Sequence, residues 1–306
     1  MSAKLLSGRD LSSQLRDRVR TAAAELANDG IRVALSVVIV GEDPASVVYV
    51  RNKVEQATSV GIEPQYFRLP VETSQAEVLA LVEMLNGDDS VDGILVQLPL
   101  PPHIDAFLVM SSIAPPKDVD GFHPTNAGNL AIGKPSIVPC TPLGCLMLIQ
   151  EARKSLVGLN AVVVGHSNIV GKPMARLLLA EGCTVTVAHK ATVDVPSVCR
   201  TADILVVAVG QPELIRGSWI RGGAIVIDVG INQIDRNGRR ILVGDVAFDE
   251  AVEVAAAITP VPGGVGPMTI ACLLSNTIEA ACQRRGVLSP MVAQAAEENA
   301  HLEVAG

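Results

Sequence analysis

Six short apolar runs, each unbroken and of strand length, alternate with helical segments along most of the chain. This alternation narrows the fold more than any other feature. The runs are Val33–Val40, Gly93–Gln97, Ala161–Val164, Thr184–Val187, Ile204–Val207 and Ala224–Asp228. A strand with one wet face alternates apolar with polar residues, whereas an unbroken run is expected where helices cover both faces. Helix-period patterns at Leu11–Asn28, Ser46–Val60, Gln75–Asn86, Pro142–Ser155 and Lys172–Glu181 supply such covers. The expected class is α/β with parallel sheets. At 306 residues the chain is long enough for two domains. Residues Pro115–Gly144, dense in Pro, Gly and Asn, mark the break, with a compact βαβ unit after it from about 142 to 270. By pattern alone, the last helical stretch, Met268–Arg285, completes either domain. The final twenty residues read as an Ala/Glu-rich tail.

Composition excludes several classes of function. Lys and Arg number 24 against 32 Asp and Glu, a net charge of −8, and there is one Trp, two Tyr and four Phe. Neither the basic stripe nor the stacking platform of a nucleic-acid binder is present. Hydrophobic residues reach 49%, but the apolar runs fall far short of the roughly 20 residues that span a bilayer. The first twenty residues alternate charge with apolar side chains and lack the core of a signal peptide. Cysteines 140, 145, 183, 199, 272 and 282 form no CxxC and no metal spacing. They read as buried thiols in a reducing compartment. The expectation is a soluble cytoplasmic protein with no metal site and no nucleic-acid or membrane partner.

One motif points to a nucleotide. The run Ala161–Val164 leads into Gly165-His166-Ser167-Asn168-Ile169-Val170-Gly171 and a helix opening at Lys172-Pro173. A glycine turn feeding a helix start offers free N–H groups and the positive end of the dipole to a phosphate. Proline suits the first helical turn, where its missing N–H is no loss. The spacing is GxSxxxG, not GxGxxG, so the Ser167 hydroxyl is expected to assist. A plain strand–turn–helix would leave the same pattern. The next run ends at His189-Lys190, where an NAD site places an acid on the ribose. Cations there favour NADP over NAD, unless Lys190 is simply a solvated strand end.

A second group lies earlier in the chain. Gly41-Glu42-Asp43-Pro44 reads as a turn with a helix cap, and Tyr49 and Lys53 follow at i,i+4 on one helix face. Val91–Pro101 is a strand delivering Gln97 into a proline-stiffened loop, and open α/β sheets bind ligands beyond such strand ends. Pro116–Phe122 brings Asp118 and Asp120 two residues apart. Pro260–Pro267 is stiff at its prolines and sterically open at Gly263, Gly264 and Gly266. Taken singly, these residues also read as a solvated Tyr–Lys pair, a turn cap beside a solvated charge, and a tight connector.

Taken together, the segments YVRNK, VDGILVQLPLP, PPKDVDGFHPTNAG, PCTPLG, VVVGHSNIVGKP, DVGIN, GDV and PVPGGVGPMT resemble, in order and spacing, the FolD-type bifunctional methylenetetrahydrofolate dehydrogenase/methenyltetrahydrofolate cyclohydrolases. The resemblance runs from about residue 4 to 285. It implies oxidation of 5,10-methylenetetrahydrofolate with a nicotinamide cofactor, NADP, followed by hydrolysis of the methenyl product to 10-formyltetrahydrofolate. It implies a two-lobed chain, with a folate-binding catalytic domain at 1–141 completed by 271–306, a Rossmann-like nucleotide domain at 142–270, and homodimers. Lys53, Tyr49, Gln97 and Asp120 fall on the family's catalytic positions. Tyr49, Asp120, Pro262, Gly263 and Gly264 would contact the tetrahydrofolate substrate. Gly165, His166, Ser167, Lys190 and Ile231 would contact NADP. Many members carry Arg where this chain has His166, so Lys190 is the cation expected at the 2′-phosphate. A monofunctional NAD-dependent dehydrogenase, a shikimate-dehydrogenase-like oxidoreductase and a nucleotide-binding regulatory module are the competing readings. The presence of Lys53, Gln97 and Asp120 argues against them.

Overall fold

The computed structural model of the chain describes residues 2–236 and 238–291. The chain opens with β1 (Lys4–Leu5), α1 (Gly8–Asn28), β2 (Ala34–Val40), α2 (Pro44–Ser59), β3 (Glu63–Leu69), α3 (Gln75–Gly87) and β4 (Gly93–Val96). Three helices follow, α4 (Ala106–Ser112), α5 (Pro124–Ala131) and α6 (Cys140–Ala152). Next come β5 (Asn160–Val164), α7 (Gly171–Ala180), β6 (Thr184–Ala188), α8 (Val195–Cys199), β7 (Ile204–Val207) and β8 (Ile225–Asp228). The last elements are β9 (Asn232–Arg236), β10 (Arg239–Val243), α9 (Phe248–Ala251), β11 (Ala257–Ile258) and α10 (Val265–Arg285). The end of the Ala/Glu-rich tail, residues 292–306, lies outside the described residues.

The chain divides into two compact units. One comprises Met1–Ser12, Leu130–Lys134 and Pro139–Cys272; the other comprises Ser13–Asn129, Pro135–Val138 and the chain from Leu273 onward. The first carries a six-stranded sheet in the order β1-β11-β8-β7-β5-β6, every pairing parallel. The second carries a three-stranded parallel sheet, β3-β2-β4. Residues 1–12 were expected with the first lobe. They join the unit with the six-stranded sheet because β1 adds to its edge, Lys4 opposite Ala257 and Leu5 opposite Ile258.

The unbroken apolar runs behave as expected in the sheet centres. All seven residues of β2 and all four of β4, β7 and β8 are buried. Strand β6 departs from that expectation. It is the outer strand, and Thr184, Thr186 and Val187 are exposed, so helices do not cover both of its faces. Strand β3 was not expected: Glu63, Pro64, Gln65 and Arg68 break its apolar pattern, which an edge strand with no neighbour on one side tolerates.

Helix α10 is long and apolar enough to cross a membrane by length and composition, but 72% of its apolar window is buried inside the protein. Its second half belongs to the unit containing β2. There Asn276 Nδ2 donates to the carbonyls of Val119 (2.9 Å) and Val138 (2.8 Å). Arg284 and Arg285 both pair with the fully buried Asp92. The last helix thus completes the first lobe, as the family resemblance implies.

Candidate active site

Helix α2 starts where Asp43 caps it. The Asp43 carboxylate accepts from Ser46 N (3.1 Å) and Ser46 Oγ (3.0 Å), and Pro44 occupies the first turn. Tyr49 and Lys53 then fall one turn apart. Lys53 Nζ lies 4.7 Å from the Tyr49 ring centroid and donates to Gln97 Oε1 at 3.0 Å. Lys53 is only 5% exposed, so it is not a solvated lysine. Burying an ammonium is costly unless it is paired with polar or π partners, and Gln97 and Tyr49 provide both. Gln97 is fixed in turn by Nε2 donating to Leu98 O at 2.6 Å, at the end of β4. The Leu98–Pro99 peptide bond that follows is cis.

The loop after α4 places its charges by function. Lys117 is buried and its ammonium donates to the carbonyls of Leu85 (2.9 Å), Asn86 (2.8 Å) and Asp88 (2.6 Å), closing the end of α3. Asp118 is buried as well and accepts from His123 N (2.7 Å) and Asn126 Nδ2 (2.9 Å). Burial raises the Asp118 carboxyl above the usual carboxylate range, against the pull of those donors. The first acid of the triplet is therefore a brace for the loop. The second, Asp120, is half-buried two residues on.

In the other unit, β5 ends in Gly165, with φ +123°, and a Cβ there would lie 2.2 Å from the Ala208 carbonyl oxygen. A Cβ on Gly171 would lie 2.2 Å from the Gly165 carbonyl oxygen, so the turn closes only with glycine at both ends. Ser167 Oγ accepts from Val170 N (3.1 Å) and Gly171 N (3.4 Å) at the start of α7, leaving its O–H to donate outward. Above this turn lies a cavity of about 620 Å³. His166, Ser167, Lys172, His189, Lys190 and Trp219 are among its lining residues, and no Asp or Glu is. The rings of His166 and His189 lie 4.8 Å apart, centroid to centroid. A cavity at the start of a helix, ringed by groups able to carry positive charge in an acidic protein, fits a phosphorylated dinucleotide.

A second cavity in the same unit brings Ile231 together with Pro262, Gly263 and Gly264, and adds Arg9 and Asp228. Sequence reasoning singled out neither Arg9 nor Trp219, and it gave no role to two buried carboxylates, Asp228 and Asp245, although the DVGIN and GDV segments carry them. Burial pushes the Asp228 carboxyl up to about 7, the Asp245 carboxylate adding to the rise, while the backbone N–H groups of Asp245, Val246 and Gly230 pull it down. All six cysteines are buried thiols. Burial pushes Cys199 up to about 11 and Cys272 up to about 12, which leaves them protonated and unreactive. Among the described residues no three His, Cys, Asp or Glu side chains gather as a metal site.

A parallel α/β sheet with a glycine turn and an anion-seeking cavity, joined to a second α/β unit holding a buried lysine, defines a nucleotide-dependent enzyme. Comparison with known proteins narrows the class. Residues 6–120 match the family model for the tetrahydrofolate dehydrogenase/cyclohydrolase catalytic domain, and residues 139–285 match that for the NAD(P)-binding domain of the same enzymes. The chain belongs to the tetrahydrofolate dehydrogenase/cyclohydrolase family. It is 60% identical to bifunctional protein FolD 2 of Paracoccus denitrificans over 292 residues, 95% of this chain and 97% of that one. The crystal structure of the bifunctional enzyme FolD from Campylobacter jejuni is 46% identical, with a TM-score of 0.89, over 92% of this chain and all of that one. The Trypanosoma brucei FolD structure, complexed with NADP cofactor and an inhibitor, is 40% identical with a TM-score of 0.89, over 93% of this chain and 99% of that one.

Proposed function

We propose that the chain oxidises 5,10-methylenetetrahydrofolate to 5,10-methenyltetrahydrofolate with NADP, and then hydrolyses that product to 10-formyltetrahydrofolate. The observation that carries the reading is the buried Lys53 amine, held by Gln97 and lying over the Tyr49 ring. Tyr49, Lys53, Gln97 and Asp120 belong to the unit built from 13–129 and the chain after 273, and the nucleotide contacts to the unit built on 139–272.

NADP, when bound, accepts the hydride that leaves the bridging carbon of the folate. The chain's part in that step is placement. Asp120 accepts hydrogen bonds from the amino and ring N–H groups of the pterin, as an ionised carboxylate can. Pro262, Gly263 and Gly264 present backbone to the substrate with little side chain in the way. Gly165, His166, Ser167 and Ile231 would contact NADP. In the hydrolysis, water adds to the methenyl carbon and gives up a proton. The hydroxyl so formed then loses its own proton as the formyl C=O forms and the bond from that carbon to the ring nitrogen breaks, and the nitrogen takes a proton. Lys53 moves the proton at this carbon, Gln97 fixes the Lys53 amine, and Tyr49 packs against the folate rings.

The experiment is direct. Protein, methylenetetrahydrofolate and NADP are mixed, and the methenyl absorbance is expected to appear and then decay. Its failure to appear would sink the dehydrogenase reading; its persistence would sink the hydrolase one. The six buried thiols support a reducing, cytoplasmic setting for an enzyme acting without nucleic acid or membrane. The open outer edge of β6, with Val187 37% exposed and Leu179 of α7 53% exposed, supports a homodimer formed through the nucleotide unit.

Cofactor choice falls to Lys190, exposed at the end of β6 on the wall of the large cavity. Lys190→Asp is expected to raise the KM for NADP about tenfold or more by replacing an attraction to the 2′-phosphate with a repulsion. It should leave kcat nearly unchanged, because that phosphate binds ground and transition states alike. A variant that keeps its preference for NADP would make Lys190 a bystander.

A further inference from the structure

The loops that follow β7, β8 and β10 are tied together by the two buried carboxylates. Asp228 Oδ1 accepts from Gly230 N (3.0 Å) and Asp245 N (2.9 Å), and Oδ2 from Val246 N (2.9 Å). Asp228 thereby fixes the backbone that carries Asp245. Asp245, fully buried, reaches elsewhere: Oδ2 accepts from Val209 N (2.7 Å) and Gly210 N (2.9 Å), and Oδ1 from Asn232 Nδ2 (2.8 Å). The packing is tight enough that a Cβ on Gly244 would lie 1.8 Å from Asp228 Oδ2.

The endpoints of this relay are the two cavities. Val209 lines the large nucleotide cavity, and Ile231 lines the second one beside Pro262 and Gly263. Ile231 is 61% exposed, so packing does little to hold it. Its neighbours hold it instead, Gly230 through Asp228 and Asn232 through Asp245.

We propose that Asn232 and Asp245 are positioning residues for hydride transfer. Through one shared carboxylate they fix Ile231 and the Val209–Gly210 backbone, and so the two cavity walls, without belonging to either lining. This inference rests on the dehydrogenase reading given above. Misplacement of about 1 Å at a site that works by alignment costs on the order of a hundredfold in rate. The hydrolytic step does not call on this relay, because Lys53, Gln97 and Tyr49 belong to the other unit. The Asp228 cluster is the structural half of the arrangement, and substitution there endangers the fold. Asn232 is the half-buried end, and removing its amide leaves every bond of Asp228 in place.

The test uses the full-length protein and three readouts. Trp219, the single tryptophan, lines the nucleotide cavity, so its fluorescence reports NADP binding without turnover. Dehydrogenase kcat and KM are measured with NADP, and hydrolysis of methenyltetrahydrofolate is measured without nucleotide. Asn232→Ala is expected to lower dehydrogenase kcat about tenfold or more. It should leave the NADP dissociation constant within about threefold and the hydrolysis rate within about twofold of wild type. Asn232→Asp, which sets a second carboxylate against Asp245, should lose more dehydrogenase activity with the same sparing of hydrolysis. Dehydrogenase kcat within twofold of wild type in both variants overturns the proposal, as does a parallel fall of both activities. Failure of the wild-type protein to oxidise methylenetetrahydrofolate overturns the functional reading, and this inference with it.

Discussion

Lys53→Gln is expected to lower methenyltetrahydrofolate hydrolysis by about 10²–10⁴-fold, the range that a positioned proton-transfer group contributes. Folate should still bind, and oxidation of methylenetetrahydrofolate should continue at a comparable rate. The structure explains the split. Lys53 is buried and held to Gln97 at 3.0 Å, so a glutamine fits the site and can keep a hydrogen bond to Gln97. What it lacks is an amine able to take up and release a proton. Hydride transfer requires alignment of two carbons and no proton carrier. Parallel assays of the two activities on one preparation decide the matter. A variant hydrolysing within about tenfold of wild type would leave Lys53 as a folate-orienting group only.

Gly165→Ala is expected to disable the nucleotide unit outright. Two costs coincide there: a φ of +123°, which side-chain-bearing residues avoid, and a Cβ placed 2.2 Å from a backbone oxygen that cannot rotate away. Together these amount to about 3 kcal/mol or more, which for a unit of this size lowers Tm by about 6–12 °C. Quenching of Trp219 by NADP should be lost, because β5 and the turn carrying Ser167 must move apart from Ala208. A variant with wild-type Tm and undiminished NADP binding would contradict the close approach described for this turn.

What the sequence made legible, and what it hid, follows from burial. Strands buried on both faces declare themselves as unbroken apolar runs, which is why β2, β4, β5, β7 and β8 were expected in place. The edge elements were harder to see. Strand β3 carries Pro64 and three polar or charged side chains, and β1 and β11 are two residues each, too short for any periodicity. The β9–β10 pair was missed although Asn237-Gly238, a strong hairpin signal, stands between its strands. Lys53, Tyr49 and Gln97 were placed together by their spacing and by resemblance, and the hydrogen bond and ring contact between them are what spacing alone cannot supply. Asp228 and Asp245 stand in the DVGIN and GDV segments, but nothing in the sequence there shows that their carboxylates are buried. Only the three-dimensional approach of Gly244 to Asp228 reveals a carboxylate buried among backbone donors.

The pairing of β1 with β11 sets the order in which the chain can fold as it is made. Lys4 and Leu5 emerge from the ribosome about 250 residues ahead of their strand partners, Ala257 and Ile258. The nucleotide sheet therefore cannot finish its edge until Ile258 has been synthesised. The other unit waits longer still, because Asn276, Arg284 and Arg285 anchor it from α10. Contacts so distant in sequence slow folding and prolong the exposure of unpaired strands. A fragment ending at residue 141 is accordingly expected to be open to protease and to lack a cooperative melting transition. Full-length protein should gain protease resistance only after residue 285 clears the exit tunnel, a delay that pulse-labelled translation with timed proteolysis would record.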